Sequence, residues 1–295
     1  MTQSFPGRLT LLSVKVSIRA MQRSFVRPPA VAGRFYPSNP ESLVKELDQY
    51  LRSETPAERK QLTAKGCVVP HAGYMYSGHV AGAVYRHLPA TPSYVILCPN
   101  HFGRGAPLAT YCSGSWMTPL GVVPVDSTLS EAIKRNDPAL EEDSEAHAQE
   151  HALEVQLPFL QRETKGFSFV PISIGDVGYD ELHCLGLAVA SAVRSAGRPV
   201  MVIASSDMNH YEPDAVTRIK DRRAIDRILA LSPDGLFEVV HRERISMCGY
   251  GPAVAMLVAA RALGAEQGLL EKYATSAETG GDSRAVVGYA GIIIR

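Results

Sequence analysis

The chain has 295 residues, of which 45% are hydrophobic and 20% charged, enough apolar material for a sizeable core. Its 30 Lys and Arg residues offset 30 Asp and Glu, which argues against nucleic acid or an anionic membrane surface as the main partner. No apolar run approaches the ~18 residues that span a bilayer. The cysteines Cys67, Cys98, Cys112, Cys184 and Cys248 are odd in number and lack CxxC spacing, which fits a reducing cytoplasm better than a disulfide framework.

In chain order, residues 1–25 carry Arg8, Lys15, Arg19 and Arg23 without an acid, and Lys15 interrupts the apolar stretch from Leu9 to Ile18. This composition reads as a disordered basic extension. A single domain is then expected over 26–295. Residues 26–37 are rich in Pro and Gly and read as an irregular segment. Ser38 or Asn39 caps a helix running to about Arg52, with Leu43, Leu47 and Leu51 on one face. Residues 54–65 form a polar link.

Gly66 to Val69 is a short apolar run ending at Pro70-His71, the signature of a buried strand. A helix is expected from Gly78 to Leu88, and a second strand over 94–98 runs into Pro99-Asn100-His101. Between Ala106 and Val125, turns at Ser113-Gly114 and Thr118-Pro119-Leu120-Gly121 suggest a hairpin insertion, after which Asp126 or Ser127 caps a helix. Ala146 to Gln161 reads as a helix carrying His147, Glu150, His151 and Glu154. A strand over 167–174 and a helix over 179–195 follow. The strand at 200–204 leads into Ser205-Ser206-Asp207-Met208-Asn209-His210. Helices over 216–231 and 234–241 precede the turn Cys248-Gly249-Tyr250-Gly251-Pro252, which opens a helix reaching Leu263. Strands over 273–276 and 285–294 close the chain. Strands alternate with helices, so the expected fold is α/β, with a mostly parallel central sheet flanked by helices.

Functional side chains of such sheets collect at the carboxyl ends of strands. His71 and His101 both sit there, as metal ligands or as hydrogen-bonded loop residues. Asp207 and His210 share the third strand end. Asp207 either orients the imidazole as a base, supports a metal ligand, or closes an Asx turn. Cys248 lies where a helix N-terminus lowers a thiol pKa, as a soft metal ligand or a nucleophile. Glu150 and His151 either lie on a solvated helix face or support the ligands. Cys67, Cys98 and Cys184 lie in apolar runs and read as core. Neither GxGxxG nor a P-loop is present, so no nucleotide site is indicated.

The segments "VRPPAVAGRFYP", "VVPHAGYMYSG", "LCPNHFG", "EHALEVQLPFL", "ASSDMNHY", "CGYGP" and "GDSRAVVGYAG" together resemble the MEMO family. Its bacterial and archaeal members form the B component of the AmmeMemoRadiSam set. The resemblance runs in the same order from Val26 to Arg295. It implies a fold similar to the class III extradiol dioxygenases, which hold non-haem iron with two His and a Glu. In the MEMO pattern a Cys takes the third place, so the resemblance implies His71, His101 and Cys248 as ligands, with Asp207 and His210 in the same pocket. Thiolate in place of carboxylate favours copper, zinc or a softer iron site, so dioxygenase activity does not follow from the fold.

The leading expectation is a cytoplasmic metal protein holding iron or copper, or else zinc. It would do redox or dioxygenase-like chemistry on a small molecule, with His210 and Asp207 moving protons. AMMECR-type and radical SAM proteins are partners by resemblance alone. The competing readings are a Cys248-dependent hydrolase and a non-catalytic module that binds a peptide or phosphorylated ligand, to which Arg104 and Arg284 would contribute.

Overall fold

The computed structural model describes residue 1 and residues 25–52, 62–280 and 282–295. Almost all of the expected basic extension and most of the polar link lie outside the described residues. The elements begin with β1 (Val26–Arg27), α1 (Pro40–Tyr50), β2 (Gly66–Val69), α2 (Tyr74–Tyr85) and β3 (Ser93–Pro99). Next come β4 (Leu108–Thr110), β5 (Ser115–Thr118), β6 (Gly121–Pro124), α3 (Ser127–Asn136), β7 (Glu141–Glu142), α4 (Glu145–Ala148), α5 (Leu157–Glu163) and β8 (Ser168–Ile174). The chain ends with α6 (Tyr179–Ser195), β9 (Val200–Ser205), β10 (His210–Glu212), α7 (Asp214–Leu229), α8 (Pro233–Arg242), α9 (Tyr250–Ala262), β11 (Gly268–Thr275) and β12 (Val286–Ile294).

One nine-stranded sheet carries the domain, in the order β10-β12-β2-β9-β3-β8-β4-β7, with β11 on β12. A three-stranded sheet, β1-β5-β6, lies apart and contains the expected hairpin. The centre, β2-β9-β3-β8, is parallel. Its flanks are not. β12 runs antiparallel to β2, β10 and β11, and β4 antiparallel to β8. The sheet is therefore mixed rather than mostly parallel. No α-helix separates β11 from β12, or β3 from β4, and without a crossover the chain returns in the reverse direction.

The central strands are buried on both faces, and their side chains alternate between two cores. Val95 and Leu97 join one core with Leu182 and Leu185 of α6 and the apolar side of α9. Tyr94, Ile96 and Cys98 join the other with Leu43, Leu47 and residues of α2. Helices cover both faces, which is why β2 and β3 read as unbroken apolar runs. α1 starts as expected, with Asn39 Oδ1 accepting from the Ser42 N–H at 2.9 Å and Pro40 in the first turn.

Three expectations are corrected. α2 begins at Tyr74, four residues before Gly78, behind a Gly73 cap that makes no side-chain hydrogen bond. Cys184 is exposed on α6 rather than part of the core. The single helix expected over 146–161 is broken into α4, an irregular link, a 3-10 turn at Glu154–Gln156, and α5. Pro158 stands in the first turn of α5 and has no N–H to continue a helix from Glu154, and Arg27 is buried against the segment before it. Its Nε donates to the His147 carbonyl at 2.8 Å and its Nη2 to the Glu150 carbonyl at 2.7 Å. Those carbonyls are thereby drawn out of the i→i+4 ladder.

His147 is fully buried beside Trp116 and Tyr111, with the Ala109 backbone favouring the charged form through a hydrogen bond too loose to satisfy either ring nitrogen. Burial, aided by Arg27, lowers its pKa from 6.5 to about 4. A histidine depressed in the folded state is bound by fewer protons there than in the unfolded chain. It therefore adds stability above pH 6.5 that is lost as pH falls toward 4. The expected result for His147→Phe is a shallower acid limb, with about 2–3 kcal/mol less acid-induced loss across that window. Urea unfolding at several pH values checks it, and an unchanged acid limb contradicts it. No helix among the described residues is long and apolar enough to cross a membrane.

Candidate metal centre

β2, β9 and β3 are adjacent and parallel, with Val69 opposite Ser205, so their carboxyl ends finish at one edge. That edge brings His71, His101, Asp207 and His210 around one cavity of about 600 Å³, which Phe35, His151, Tyr211, Cys248 and Tyr289 also line. Neither Arg104 nor Arg284 lines it, so the anion-binding role considered for them gains no support. Arg284 pairs instead with Asp282.

His71 is buried, its Nδ1 2.9 Å from Ser205 Oγ. Its backbone N–H donates to Asp207 Oδ1 at 2.7 Å, and the Ala72 N–H to the same oxygen at 3.3 Å. His101 is clasped by Glu150. Its N–H donates to Oε2 at 2.7 Å, and its Nδ1 lies 2.9 Å from Oε1. An ionised carboxylate only accepts, so Nδ1 carries a hydrogen, and in the neutral imidazole Nε2 keeps the lone pair. His151 Nδ1 lies 3.5 Å from the same Oε1. The His151 ring stacks on His101, centroids 4.8 Å apart and planes 17° apart, with Phe35 at 4.7 Å. His71 meets both rings edge-on, at 5.1 and 5.7 Å.

His71, His101 and His151 each offer a ring nitrogen within 4.8 Å of the others, a grouping able to hold a metal ion. The sequence placed His151 on a helix face beside the site rather than among the donors, although Pro158, in the first turn of α5, is a local sign that the helix does not run unbroken. Cys248, half-buried two residues before α9, sets its Sγ 3.2 Å from His71 Nε2. A Cβ on Gly249 would lie 2.4 Å from the Ser205 carbonyl oxygen, so glycine is what lets this turn close against the strand end.

Electrostatics favour the neutral, donating form of His71 and His151 and oppose it at His101. Burial, reinforced by repulsion from His101, pushes the His71 pKa well below its usual value. Burial and the neighbouring His71 lower His151 to about 4. Burial acts to raise Glu150, but the hydrogen bond and charge of His101 outweigh it and bring the carboxyl down to about 2. Burial likewise acts to lower His101, and the Glu150 hydrogen bond turns the net shift upward. His71 and His151 are thus pushed toward the neutral form beside a carboxyl held toward the ionised one.

Two sequence-based expectations change. Burial and the Asp207 carboxylate push the Cys248 thiol well above its ordinary pKa, the reverse of a helix-terminus thiolate. Asp207 commits Oδ1 to backbone N–H groups, and His210 takes its orientation from Ser246: its N–H donates to Ser246 Oγ at 2.8 Å and its Nδ1 to the Ser246 carbonyl at 2.9 Å. His210 Nε2 is left as the basic nitrogen. Burial raises the Asp207 carboxyl, opposed by His210 and the two N–H bonds. A separate grouping of Cys112, Glu131 and Glu142 already holds a cation, since Lys134 Nζ lies 3.7 Å from Glu131 and 3.3 Å from Glu142.

The family model of Memo-like proteins matches residues 27–293. A MEMO1 family protein of Methanothermobacter thermautotrophicus is 43% identical over 275 residues, covering 90% of this chain and 99% of the relative. One from Methanopyrus kandleri is 44% identical over 279 residues, covering 91% and 99%. One from Pyrobaculum arsenaticum is 45% identical over 276 residues, covering 91% and 98%. With a match that runs from β1 to β12 and includes every strand end around the cavity, the chain belongs to the Memo-like protein family.

Proposed function

We propose that the cavity is a non-haem metal site and that the protein performs redox or dioxygenase-like chemistry on a small molecule. The observation that carries this reading is the convergence of His71, His101 and His151, with the Cys248 sulfur on His71. His71, His101 and Cys248 are the proposed ligands; His151, which converges with the two histidines where the Cys248 sulfur reaches His71 alone, is a further donor. Imidazole with thiolate suits copper, zinc or a softened iron site. A metal held there would supply a Lewis-acid and redox centre facing the cavity. The likeness to class III extradiol dioxygenases belongs to this proposal as an analogy of fold.

The protein's own groups have separable tasks. Glu150 holds His101 in the Nδ1–H form and crowds His151 into place, as a carboxylate behind ligating imidazoles does. Asp207 fixes the backbone from which His71 projects. His210, at the cavity wall and held by Ser246, accepts and returns a proton at Nε2. Phe35 and Tyr289 narrow the cavity and limit water.

The thiol-nucleophile alternative needs a thiolate without a metal to stabilise it, and burial with the Asp207 carboxylate works against one. Titration of metal-free protein with Fe(II), Cu(I) and Zn(II), followed calorimetrically, tests the proposal. One site per chain is expected for at least one ion, and His210→Ala should retain it. Absence of binding by all three ions would sink the proposal.

A further inference from the structure

Ser205, the last residue of β9, is fully buried, and its hydroxyl meets three partners. The Ala152 carbonyl is 2.6 Å away, Gln156 Nε2 2.8 Å, and His71 Nδ1 2.9 Å. A hydroxyl owns one hydrogen and two acceptor lone pairs. A carbonyl only accepts, so the single hydrogen goes to Ala152.

The Gln156 amide is oriented by its other neighbours. Nε2 lies 3.0 Å from the Pro70 carbonyl, and Oε1 lies 2.8 Å from the buried Tyr85 hydroxyl. Exchanging the two amide atoms would press oxygen against the Pro70 carbonyl. Nε2 therefore donates to Ser205 and fills one lone pair. The other lone pair is left for His71 Nδ1, which must bring the hydrogen.

We infer that Ser205 is a positioning residue that locks His71 in the Nδ1–H tautomer and leaves the Nε2 lone pair directed at the Cys248 sulfur on the cavity side. The opposite tautomer sets two lone pairs against each other. The alternative is to turn the Ser205 hydrogen away from Ala152 and strand a buried carbonyl. Glu150 does the same for His101 with a charged acceptor. His71 uses a neutral hydroxyl, whose direction is set by two carbonyls and an amide rather than by charge. The consequence for metal affinity rests on the proposed metal site; the tautomer itself does not.

Metal-free protein with 15N-labelled histidine, read by long-range proton–nitrogen NMR, tests the inference. Wild type is expected to show His71 with a protonated Nδ1 and an unprotonated Nε2. Ser205→Ala is expected to mix the two tautomers and weaken Zn(II) binding by about 10–100-fold, the usual effect of losing a group that orients a ligand. Tyr85→Phe cuts the far end of the same chain but spares the Ser205 hydroxyl, and should leave tautomer and affinity unchanged. A wild-type His71 protonated at Nε2 overturns the inference, even if the alanine variant does not fold. An unchanged tautomer in Ser205→Ala, or an equal affinity loss in both variants, also overturns it. The expected tautomers in a wild type that binds no metal would support the lock and remove the metal reading instead.

Discussion

His71→Ala is expected to abolish stoichiometric metal binding, weakening affinity by more than about 100-fold. Losing a group that merely orients a ligand costs roughly 10–100-fold, and His71 is the vertex of the site. Its ring faces both other imidazoles, and its Nε2 is the atom that Cys248 touches. It is also the one histidine of the three that is fully enclosed. Calorimetric titration of the folded variant checks this, with His147→Phe as a buried-histidine control that keeps binding. Near-wild-type affinity in His71→Ala would remove His71 from the donor set.

The largest expected loss of stability comes from Glu154. This carboxylate is fully buried and accepts from Arg27 Nη1 at 2.7 Å, the Ala30 N–H at 2.7 Å, the Val31 N–H at 3.1 Å and the Tyr36 hydroxyl at 2.7 Å. Glu154→Ala leaves a buried guanidinium without its counter-charge and three donors without an acceptor. Removing one partner of such a pair costs about 3–5 kcal/mol. The damage extends to the site, since the segment these bonds hold down carries Phe35, which packs on His151. Urea unfolding is the measurement, and a loss under about 1 kcal/mol would contradict the assignment of Glu154 as the anchor. Replacing Arg27 and Glu154 together by apolar residues of similar volume should cost less than Glu154→Ala alone.

The strand ends were legible because their signals are local. An unbroken apolar run stopped by Pro70 or Pro99 and followed by histidine marks a buried strand leaving the sheet. The cap at Asn39 and the turn at 118–121 were readable for the same reason. Most of what escaped the sequence depended on partners far along the chain. The helix expected over 146–161 is interrupted where Arg27, some 120 residues earlier, binds the His147 carbonyl, and Pro158, a local breaker, was passed over, so the spacing of His147, Glu150, His151 and Glu154 was helical in pattern only. That break is what turns Glu150 toward His101 and brings His151 among the donors. The polarity of the sheet was misjudged where β12 returns on β11 without a crossover helix. Cys248 was read from its place before a helix, but burial and Asp207 override the helix terminus. The role of Ser246 in holding His210 had no signal, since a serine two residues before a cysteine is unremarkable in composition.

The most direct test of a metal held by His71, His101 and Cys248 is X-ray absorption at the edge of the bound ion, in protein loaded with one equivalent. The expected spectrum has a shell of two or three imidazole nitrogens and one sulfur, at about 2.3 Å if the ion is zinc, with the sulfur lost in Cys248→Ser. A spectrum of oxygen scatterers without imidazole, or no ion retained for measurement, would contradict it.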